Sequence, residues 1–242
     1  MAADAGAKGA RGGWAVGARI PLHWRGGGWL DTLIDPFHGL LGFPDSGRGL
    51  YARRRLRVEG RTREGEPFVW TGRAGTGLGS VELEVRKAIR GGSAGGPVIA
   101  IVARTLLPTS SGAFAEAGRG AGAQALLSQP LGASFDLHAG GGATVLGPSA
   151  RDGLSYARNR AQGYVALEWR PVSAWSALVQ WEASSRLVTG VDRYPGLQLS
   201  LRIGSKVDVG PRWRLEGGFV EGIKSLDNTT DFGVFATVGR RF

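Results

Sequence analysis

Three side chains within five residues, Ser134, Asp136 and His138, are of the types that build a nucleophilic site. On a β-strand they would share one face, because successive side chains alternate between faces. A catalytic triad, however, needs the nucleophile in contact with the base and the acid on the other side of that base. Here Ser134 and His138 would stand ~13 Å apart with Asp136 between them. We therefore predict no catalytic residue.

The remaining residues that bind metals or phosphates are too scattered to form a site. The chain has three histidines and no cysteine, so no cluster of metal ligands is visible. The glycine runs at 26–28 and 91–92 lack the strand-to-helix setting and the spacing of a phosphate-binding loop. We predict neither a metal nor a cofactor.

The positive charge of the chain has a pattern of its own. Thirty Lys and Arg against 20 Asp and Glu give a net charge of +10. A nucleic-acid module would carry an aromatic platform or a recognition helix within its basic patch, whereas Arg53, Arg55 and Arg57 lie at alternating positions. We predict no nucleic-acid partner. Two interpretations stay open, a charge-paired lumen wall, or a lumen that favours small anionic solutes with a rim that binds lipopolysaccharide phosphates.

The elements that position these side chains are β-strands. Polar and apolar residues alternate over most of the chain, and glycine, a poor helix former, provides 42 of the 242 residues. Pro67 makes segment 66–73 the weakest of the predicted strands. The twelve predicted strands are 13–24, 49–59, 66–73, 78–89, 96–107, 118–129, 132–145, 160–170, 173–185, 195–207, 212–222 and 232–242.

The predicted connections alternate between long and short, apart from a short one at 74–77. Short turns on one rim and long loops on the other are typical of outer-membrane barrels, whose short turns lie in the periplasm. An even strand count then places both termini on the periplasmic side. No eighteen consecutive residues are apolar, so we predict no transmembrane helix.

Aromatic residues bracket the apolar rows of these strands. Trp14 and Trp24 are ten residues apart, which at ~3.3 Å per residue and ~40° tilt spans ~25 Å, the height of the apolar band of a membrane barrel. The predicted membrane-facing anchors are Trp14, Trp24, Trp175, Trp181 and Phe242. The predicted lumen-facing residues are Arg19, Arg53, Arg55, Arg57, Glu82, Glu84, Arg86, Arg104, Asp136, His138, Glu168, Gln180, Glu182, Arg202 and Glu216.

The first long loop, 25–48, has a helical pattern instead. Apolar residues recur at helical spacing, and Asp35 followed by Pro36 is typical of a helix N-terminus. We predict one bent or two short amphipathic helices, which either pack on the barrel mouth or act as a lid, plug or membrane-surface element. The residues assigned to this loop helix are Trp29, Leu33, Ile34, Phe37 and His38.

The last strand, 232–242, closes on an aromatic residue. Phe232, Val234, Ala236, Val238 and Phe242 share one face, which resembles the signal by which outer-membrane barrels are recognised for assembly, although Arg240 interrupts it. We expect the barrel-assembly machinery as a partner of this strand. Outer-membrane lipids and lipopolysaccharide are the other expected partners.

Several of these features together resemble one bacterial family. They are the run WLDTLIDPFHGLLGFPDSGR after the first strand, the Gly77-Leu78-Gly79 lead into a charged strand, and the closing Phe242. The family is the domain of unknown function 3187, whose members are predicted to be outer-membrane β-barrels. The resemblance implies that fold and location and no activity.

The sequence thus predicts a single domain over 1–242, with 1–12 as a flexible N-terminal segment. Its expected fold is all-β, a closed antiparallel up-and-down transmembrane barrel of about twelve strands in the bacterial outer membrane. Residues 1–8 lack the apolar run of a signal peptide, so either the export signal lies outside this sequence or the protein is not exported. The expected function is a narrow passive pore or structural membrane barrel with an arginine-rich lumen. The alternatives are a lipid-modifying barrel enzyme and a soluble ligand-binding β-barrel.

Overall fold

The protein is built almost entirely from antiparallel β-strands. The structure is a computed structural model that describes residues 13–20, 22–25, 36, 39–40, 57–71, 75–91, 95–110, 119–148, 150–151, 154–191, 196–223 and 233–240. The strands are β1 (Trp14–Arg19), β2 (Leu22–Arg25), β3 (Arg57–Arg61), β4 (Pro67–Thr71), β5 (Gly75–Leu78), β6 (Val81–Arg90), β7 (Val98–Leu107), β8 (Gly120–Pro130), β9 (Phe135–Leu146), β10 (Ala150–Arg151), β11 (Leu154–Tyr156), β12 (Asn159–Val172), β13 (Trp175–Ser185), β14 (Val188–Thr189), β15 (Leu197–Val209), β16 (Trp213–Gly222) and β17 (Gly233–Arg240).

Ten of these strands form one up-and-down sheet in the order β1-β6-β7-β8-β9-β12-β13-β15-β16-β17, in which every pair is antiparallel. Short turns join β6 to β7, β8 to β9, β12 to β13 and β15 to β16 at one edge, which we call the short-turn edge. Longer connections lie at the opposite, long-loop edge. Among the described residues, β1 and β17 are the two outermost strands of the sheet.

Within the described ranges the main sheet has ten strands, so the prediction of about twelve is wrong. The predicted strands 49–59 and 66–73 correspond in the described part to β3 and β4, which pair only with each other. Polar and apolar residues alternate in a hairpin outside the main sheet as they do in its strands, so the sequence pattern did not distinguish the two.

The first strand of the main sheet continues into a separate pair. β1 pairs with β6 so that Arg19 faces Glu82, while β2 pairs with β5 so that Leu22 faces Leu78. The stretch from 78 to 82 therefore holds one residue more than the stretch from 19 to 22, as in a β-bulge. The apparent connection at 74–77 lies largely within β5 (Gly75–Leu78), which explains why it broke the alternation of long and short.

The two faces of the main sheet differ in chemistry and in exposure. The apolar face contains exposed aliphatic and aromatic side chains, among them Val16, Val165 and Val238. The polar face contains buried polar side chains, among them Gln124, His138 and Glu168. The sheet is thus apolar where it is exposed and polar where it is buried.

The burial of the polar face means that the sheet curls around it, because a flat single sheet leaves both faces open. On this face Ala166 is 0% exposed and Val102 is 1% exposed. Glycines allow the ring of Phe235 to lie close against the wall, since a Cβ at Gly218 would stand 2.9 Å from its Cζ atom and one at Gly204 3.0 Å. The interior is therefore partly filled by side chains that lie along the wall.

Small elements lie at the long-loop edge. β10, β11 and β14 form a three-stranded sheet above the main one. In the predicted helical loop, Pro36, Gly39 and Leu40 are described and all three are α-helical. No helix in the described part of the chain is long and apolar enough to cross a membrane.

Candidate functional site

The densest group of polar side chains surrounds Glu168 on the polar face, toward the short-turn edge. The Lys206 ammonium lies 2.8 Å from Glu168 Oε2, and the Arg170 guanidinium lies 3.2 Å from Glu168 Oε1. Arg170 also pairs with Asp136 at 3.0 Å. We call this group, completed by His138 and Ser128 below, the Glu168 cluster.

The other end of the cluster is a hydrogen-bonded chain. Glu168 Oε2 lies 3.1 Å from His138 Nε2, and His138 Nδ1 lies 2.9 Å from Ser128 Oγ. β8 and β9 place Ser128 and His138 directly opposite each other, and β9 and β12 set His138 beside Glu168 across the next ladder. Adjacent strands therefore align a serine, a histidine and a carboxylate in one row.

Sequence reasoning missed Ser128 because it misplaced one turn. Ser134 was the only serine weighed from the sequence as the partner of His138, whereas Ser128 is the serine that contacts it. The predicted turn at 129–131 would have set Ser128 opposite a residue near 133, but the chain turns at Leu131–Ser134, where Gly132 has a φ of 82°. A left-handed conformation favours glycine, so the glycine after Pro130 was the available signal.

This row has the components of a triad, but its surroundings limit what it can do. His138 is 4% exposed and Glu168 3% exposed, so any substrate would have to enter the interior. Glu168 is also bound by Lys206 and Arg170, which hold it as a charged hub. Of the three residues that the sequence analysis rejected as a triad, Ser134, Asp136 and His138, Asp136 pairs with Arg170.

Beside the cluster lies a recess at the short-turn edge. Its polar walls include Glu168, Lys206, Asp208 and Arg214, and it contains about 200 Å³ of empty space that includes open solvent at its mouth. Arg214 binds Asp208 through Nε at 2.7 Å and Nη2 at 3.0 Å. The walls thus carry paired charges around a space that fits about one water molecule.

Further ion pairs lie along the same face away from the recess. Arg104 is 3.7 Å from Glu82 and donates a hydrogen bond of 2.7 Å to Gln124. Arg202 pairs with Glu182 at 3.1 Å. Two more contacts complete this group, since Arg86 lies 3.4 Å from Glu84, and Gln180 donates to Glu182.

The predicted lumen-facing residues divide into two groups in the structure. Twelve of them lie on the polar face of the main sheet: Arg19, Glu82, Glu84, Arg86, Arg104, Asp136, His138, Glu168, Gln180, Glu182, Arg202 and Glu216. Arg57 lies in β3, outside the main sheet, and Arg53 and Arg55 lie outside the described residues. That the polar face lines a lumen stays a prediction.

Aromatic residues of the apolar face gather near the short-turn edge. Trp14 begins β1, Trp175 begins β13, Trp213 begins β16, and Trp169 packs edge-on against Trp175 with ring centroids 5.7 Å apart. The Lys87 ammonium lies 4.9 Å from the Trp14 ring centroid. Together with Phe135 at the start of β9, these residues form what we call the aromatic row.

The other predicted anchors are placed less fully. Trp181 lies on the apolar face farther from the short turns and is exposed. Trp24 belongs to β2, and Phe242 lies outside the described residues. Arg240 is the register partner of Trp213 at the end of β17. The predicted loop-helix residues Trp29, Leu33, Ile34, Phe37 and His38 also lie outside the described residues.

Among the described residues, no three His, Asp or Glu side chains come together as a metal site. Comparison with known proteins places the chain only at the level of a family. The model of the family described as "Protein of unknown function (DUF3187)" matches residues 10–242. A search of curated proteins finds no match.

Proposed function

We propose that this chain, which belongs to the family described as "Protein of unknown function (DUF3187)", is a closed β-barrel of the bacterial outer membrane and acts as a narrow passive pore. The observation that carries the proposal is the inverted burial of the ten-stranded sheet. Val165 is 50% exposed, whereas its neighbours Ala166 and Glu168 are 0% and 3% exposed. Water favours the opposite arrangement, and a lipid bilayer favours this one.

The size of the exposed apolar surface supports a lipid environment. Large apolar side chains are exposed on strand after strand, from Trp14 and Val16 in β1 to Val234 and Val238 in β17. A soluble monomer rarely exposes a contiguous apolar patch larger than a few hundred Å². Lipid tails would cover this surface at no desolvation cost.

The aromatic row supports the same proposal. Trp and Tyr concentrate at membrane–water interfaces because their rings are apolar while their N–H and O–H groups bind water. Trp14, Trp169 and Trp213 occupy one end of the apolar face, as a girdle at the periplasmic interface would. Membrane lipids are the partners that this face fits, with lipopolysaccharide in the outer leaflet.

The dimensions of a closed sheet would leave a small lumen. Ten strands spaced ~4.8 Å apart and tilted ~40° give a circumference of ~63 Å and a diameter of ~20 Å between backbones. Inward side chains shorten this width from both sides. The ion pairs Arg104–Glu82 and Arg202–Glu182 cross between strands of the wall. Because these charges are paired, they favour a narrow pathway that discriminates weakly between anions and cations. They do not favour an arginine-rich lumen that selects anions.

Closure of the barrel is tested by disulfide formation between β1 and β17. The native chain has no cysteine, so we pair Ala18→Cys in β1 with single cysteines at Val234, Ala236 and Val238, which lie on the apolar strand face of β17. One of these three pairs should oxidise readily. Thr237→Cys, on the opposite face, is the matched control and should not react. Failure of all three pairs would refute a closed barrel.

Pore activity is tested separately in planar bilayers. We expect small, voltage-insensitive conductance steps from the folded protein, which increase when Arg202 and Glu182 are both replaced by Ala and the interior widens. Folded, inserted protein that passes neither ions nor small solutes would exclude the pore and leave a structural barrel. The role of the last strand is tested by replacing Phe242. We expect this replacement to abolish the interaction with the barrel-assembly machinery.

A second candidate, a lipid-modifying enzyme, is favoured by one observation, the Ser128–His138–Glu168 row with separations of 2.9 and 3.1 Å. In such an enzyme Ser128 Oγ would attack an ester carbonyl carbon while His138 accepts its proton and passes it to the departing alcohol, and water would then hydrolyse the acyl-enzyme to release the fatty acid. The candidate ranks second because the row faces the interior, away from the apolar face where lipid would lie.

The two candidates separate in a labelling experiment. If the protein is a serine hydrolase, a fluorophosphonate probe should label Ser128 in the wild type. The same probe should fail to label the Ser128→Ala and His138→Ala variants. Ser134→Ala is the matched control, because Ser134 lies in the turn outside the row. Absence of labelling in folded protein, together with no release of fatty acid from phospholipid vesicles, would exclude the enzyme.

A further inference from the structure

The hairpin formed by β3 and β4, residues 57–71, bridges two distant parts of the main sheet. We call it the cap hairpin. At its end it leads into β5, whose partner β2 continues from β1 at one edge of the sheet. The cap hairpin also contacts the segment that follows β13. In the strand order of the main sheet β13 is seventh, whereas β6, which follows β5 in the chain, is second. In a closed barrel of ten strands, five positions away is the opposite wall.

The contact at the far side is an apolar cluster. Phe68 is 8% exposed and Val188 7% exposed, and the two pack together with Tyr156, Leu187 and Val191 around them. These five residues form a hydrophobic cluster at the contact between the cap hairpin and the segment after β13. Beside it, the backbone N–H of Arg63 donates a hydrogen bond of 2.6 Å to the carbonyl of Gly190. We call these contacts the latch.

The cap hairpin is braced internally, so it can move as a unit. Its turn holds hydrogen bonds from Thr62 N–H to the Glu66 carbonyl at 2.8 Å and from Gly65 N–H to the Thr62 carbonyl at 2.9 Å. The Arg61 guanidinium donates to the Gly65 carbonyl at 3.2 Å. Gly60 lies under the Phe68 ring, where a Cβ would stand 2.7 Å from Cζ.

The dimensions fit a structure that spans the mouth. Five residues per strand give the cap hairpin a length of ~17 Å, and the three residues between Thr71 and Gly75 keep its base within ~14 Å of the wall. A ten-stranded barrel is ~20 Å across. Reaching the opposite wall by the direct path takes the cap hairpin across the long-loop mouth.

We propose that the cap hairpin is a gate that closes the long-loop mouth of the lumen and opens when Phe68 leaves its contact with Val188. This gate rests on the proposed membrane barrel, because it controls entry to that lumen. The latch lies outside the ten-stranded sheet, so it can release while the wall stays intact. The same closure would keep large solutes away from the ion pairs of the polar face.

The test measures access to a reporter cysteine beneath the cap hairpin. Ser184 lies on the polar face of β13 near the long-loop edge, where its hydroxyl donates to Gln198. In a Ser184→Cys background, a bulky, charged maleimide reports entry through the mouth. We expect Phe68→Ala to raise the labelling rate about 10- to 100-fold, since burial of a Phe side chain is lost. Val188→Ala removes less apolar surface from the other side and should raise the rate less.

Val69→Ala is the matched control, because Val69 lies on the same strand and is exposed. Equal labelling rates in the Phe68→Ala and Val69→Ala proteins, with no change in Val188→Ala, would overturn the gate. A separate reporter, Val165→Cys, tests the barrel itself in lipid vesicles. If the thiol of Val165→Cys is protected while labelling of Ser184→Cys does not respond to Phe68→Ala, only the gate is refuted. Rapid labelling of Val165→Cys refutes the membrane barrel.

Discussion

A charge placed in the middle of the apolar face distinguishes a lipid environment from an aqueous one. Val165 is 50% exposed and lies on β12, four residues before Trp169 of the aromatic row. At ~3.3 Å per residue and ~40° tilt it lies ~10 Å from that row, close to the middle of an apolar band ~25 Å high. Val165→Arg should therefore lower the free energy of unfolding in lipid by about 2–4 kcal/mol.

Val209→Arg is the matched control. Val209 is 49% exposed, but its partner across the ladder is Trp213, so it lies at the level of the aromatic row. Near the interface the same charge should cost about 0–1 kcal/mol. On a water-exposed surface both substitutions would change stability by no more than about 0.5 kcal/mol.

The assay is reversible urea unfolding of the two variants and the wild type in phospholipid vesicles, followed by tryptophan fluorescence. Equal losses in Val165→Arg and Val209→Arg, within about 0.5 kcal/mol, would refute a depth-dependent lipid environment. A repeat in detergent micelles separates insertion from folding. A large loss in vesicles with a small loss in micelles is the expected pattern, because micelles adapt to a local charge.

Two further predictions concern the interior. Glu168→Gln takes the shared carboxylate from Lys206, whose side chain is 14% exposed, and from Arg170, whose side chain is 45% exposed, and should destabilise the folded protein by about 1–3 kcal/mol. Glu66→Gln in the exposed turn of the cap hairpin should change stability by no more than about 0.5 kcal/mol. Equal urea midpoints of the two variants would contradict this role of Glu168. Gly218→Ala would press a Cβ against the Ile203 carbonyl oxygen and should cost about 1–3 kcal/mol. At Gly217 the nearest atom would be 3.6 Å from an added Cβ, so the Gly217→Ala variant should have the melting temperature of the wild type. A similar loss of stability in Gly217→Ala and Gly218→Ala would contradict the close approach of the strands at Gly218.

The sequence predicted the wall of this fold well because alternation and turn residues both act locally. The predicted 160–170 and 173–185 became β12 (Asn159–Val172) and β13 (Trp175–Ser185). The chemistry of the two faces was also readable from alternation alone. The number of strands in the wall could not be predicted in this way, because a hairpin outside the wall alternates as a wall strand does. The role of that hairpin depends on the contact of Phe68 with a residue more than a hundred positions later.

The interior contacts were less predictable for a related reason. Which polar residues share a face follows from alternation, but which ones touch follows from register, and register depends on the position of each turn. Ser128 meets His138 because the chain turns around Gly132, a few residues later than expected. Lys206 reaches Glu168 from β15, a strand that does not pair with β12, so curvature of the sheet decides that contact.

The cap hairpin also bears on how freely this protein can vary. Arg25 and Gly75 are cross-strand partners, so the chain leaves the wall and re-enters it at the same point. The intervening segment 26–74 is therefore an insertion in a continuous hairpin and fixes no register of the wall. Loop-closure entropy grows only with the logarithm of length, so this segment costs about 2 kcal/mol more than a four-residue turn. Shortening or lengthening this segment should therefore leave the assembly of the ten strands unchanged.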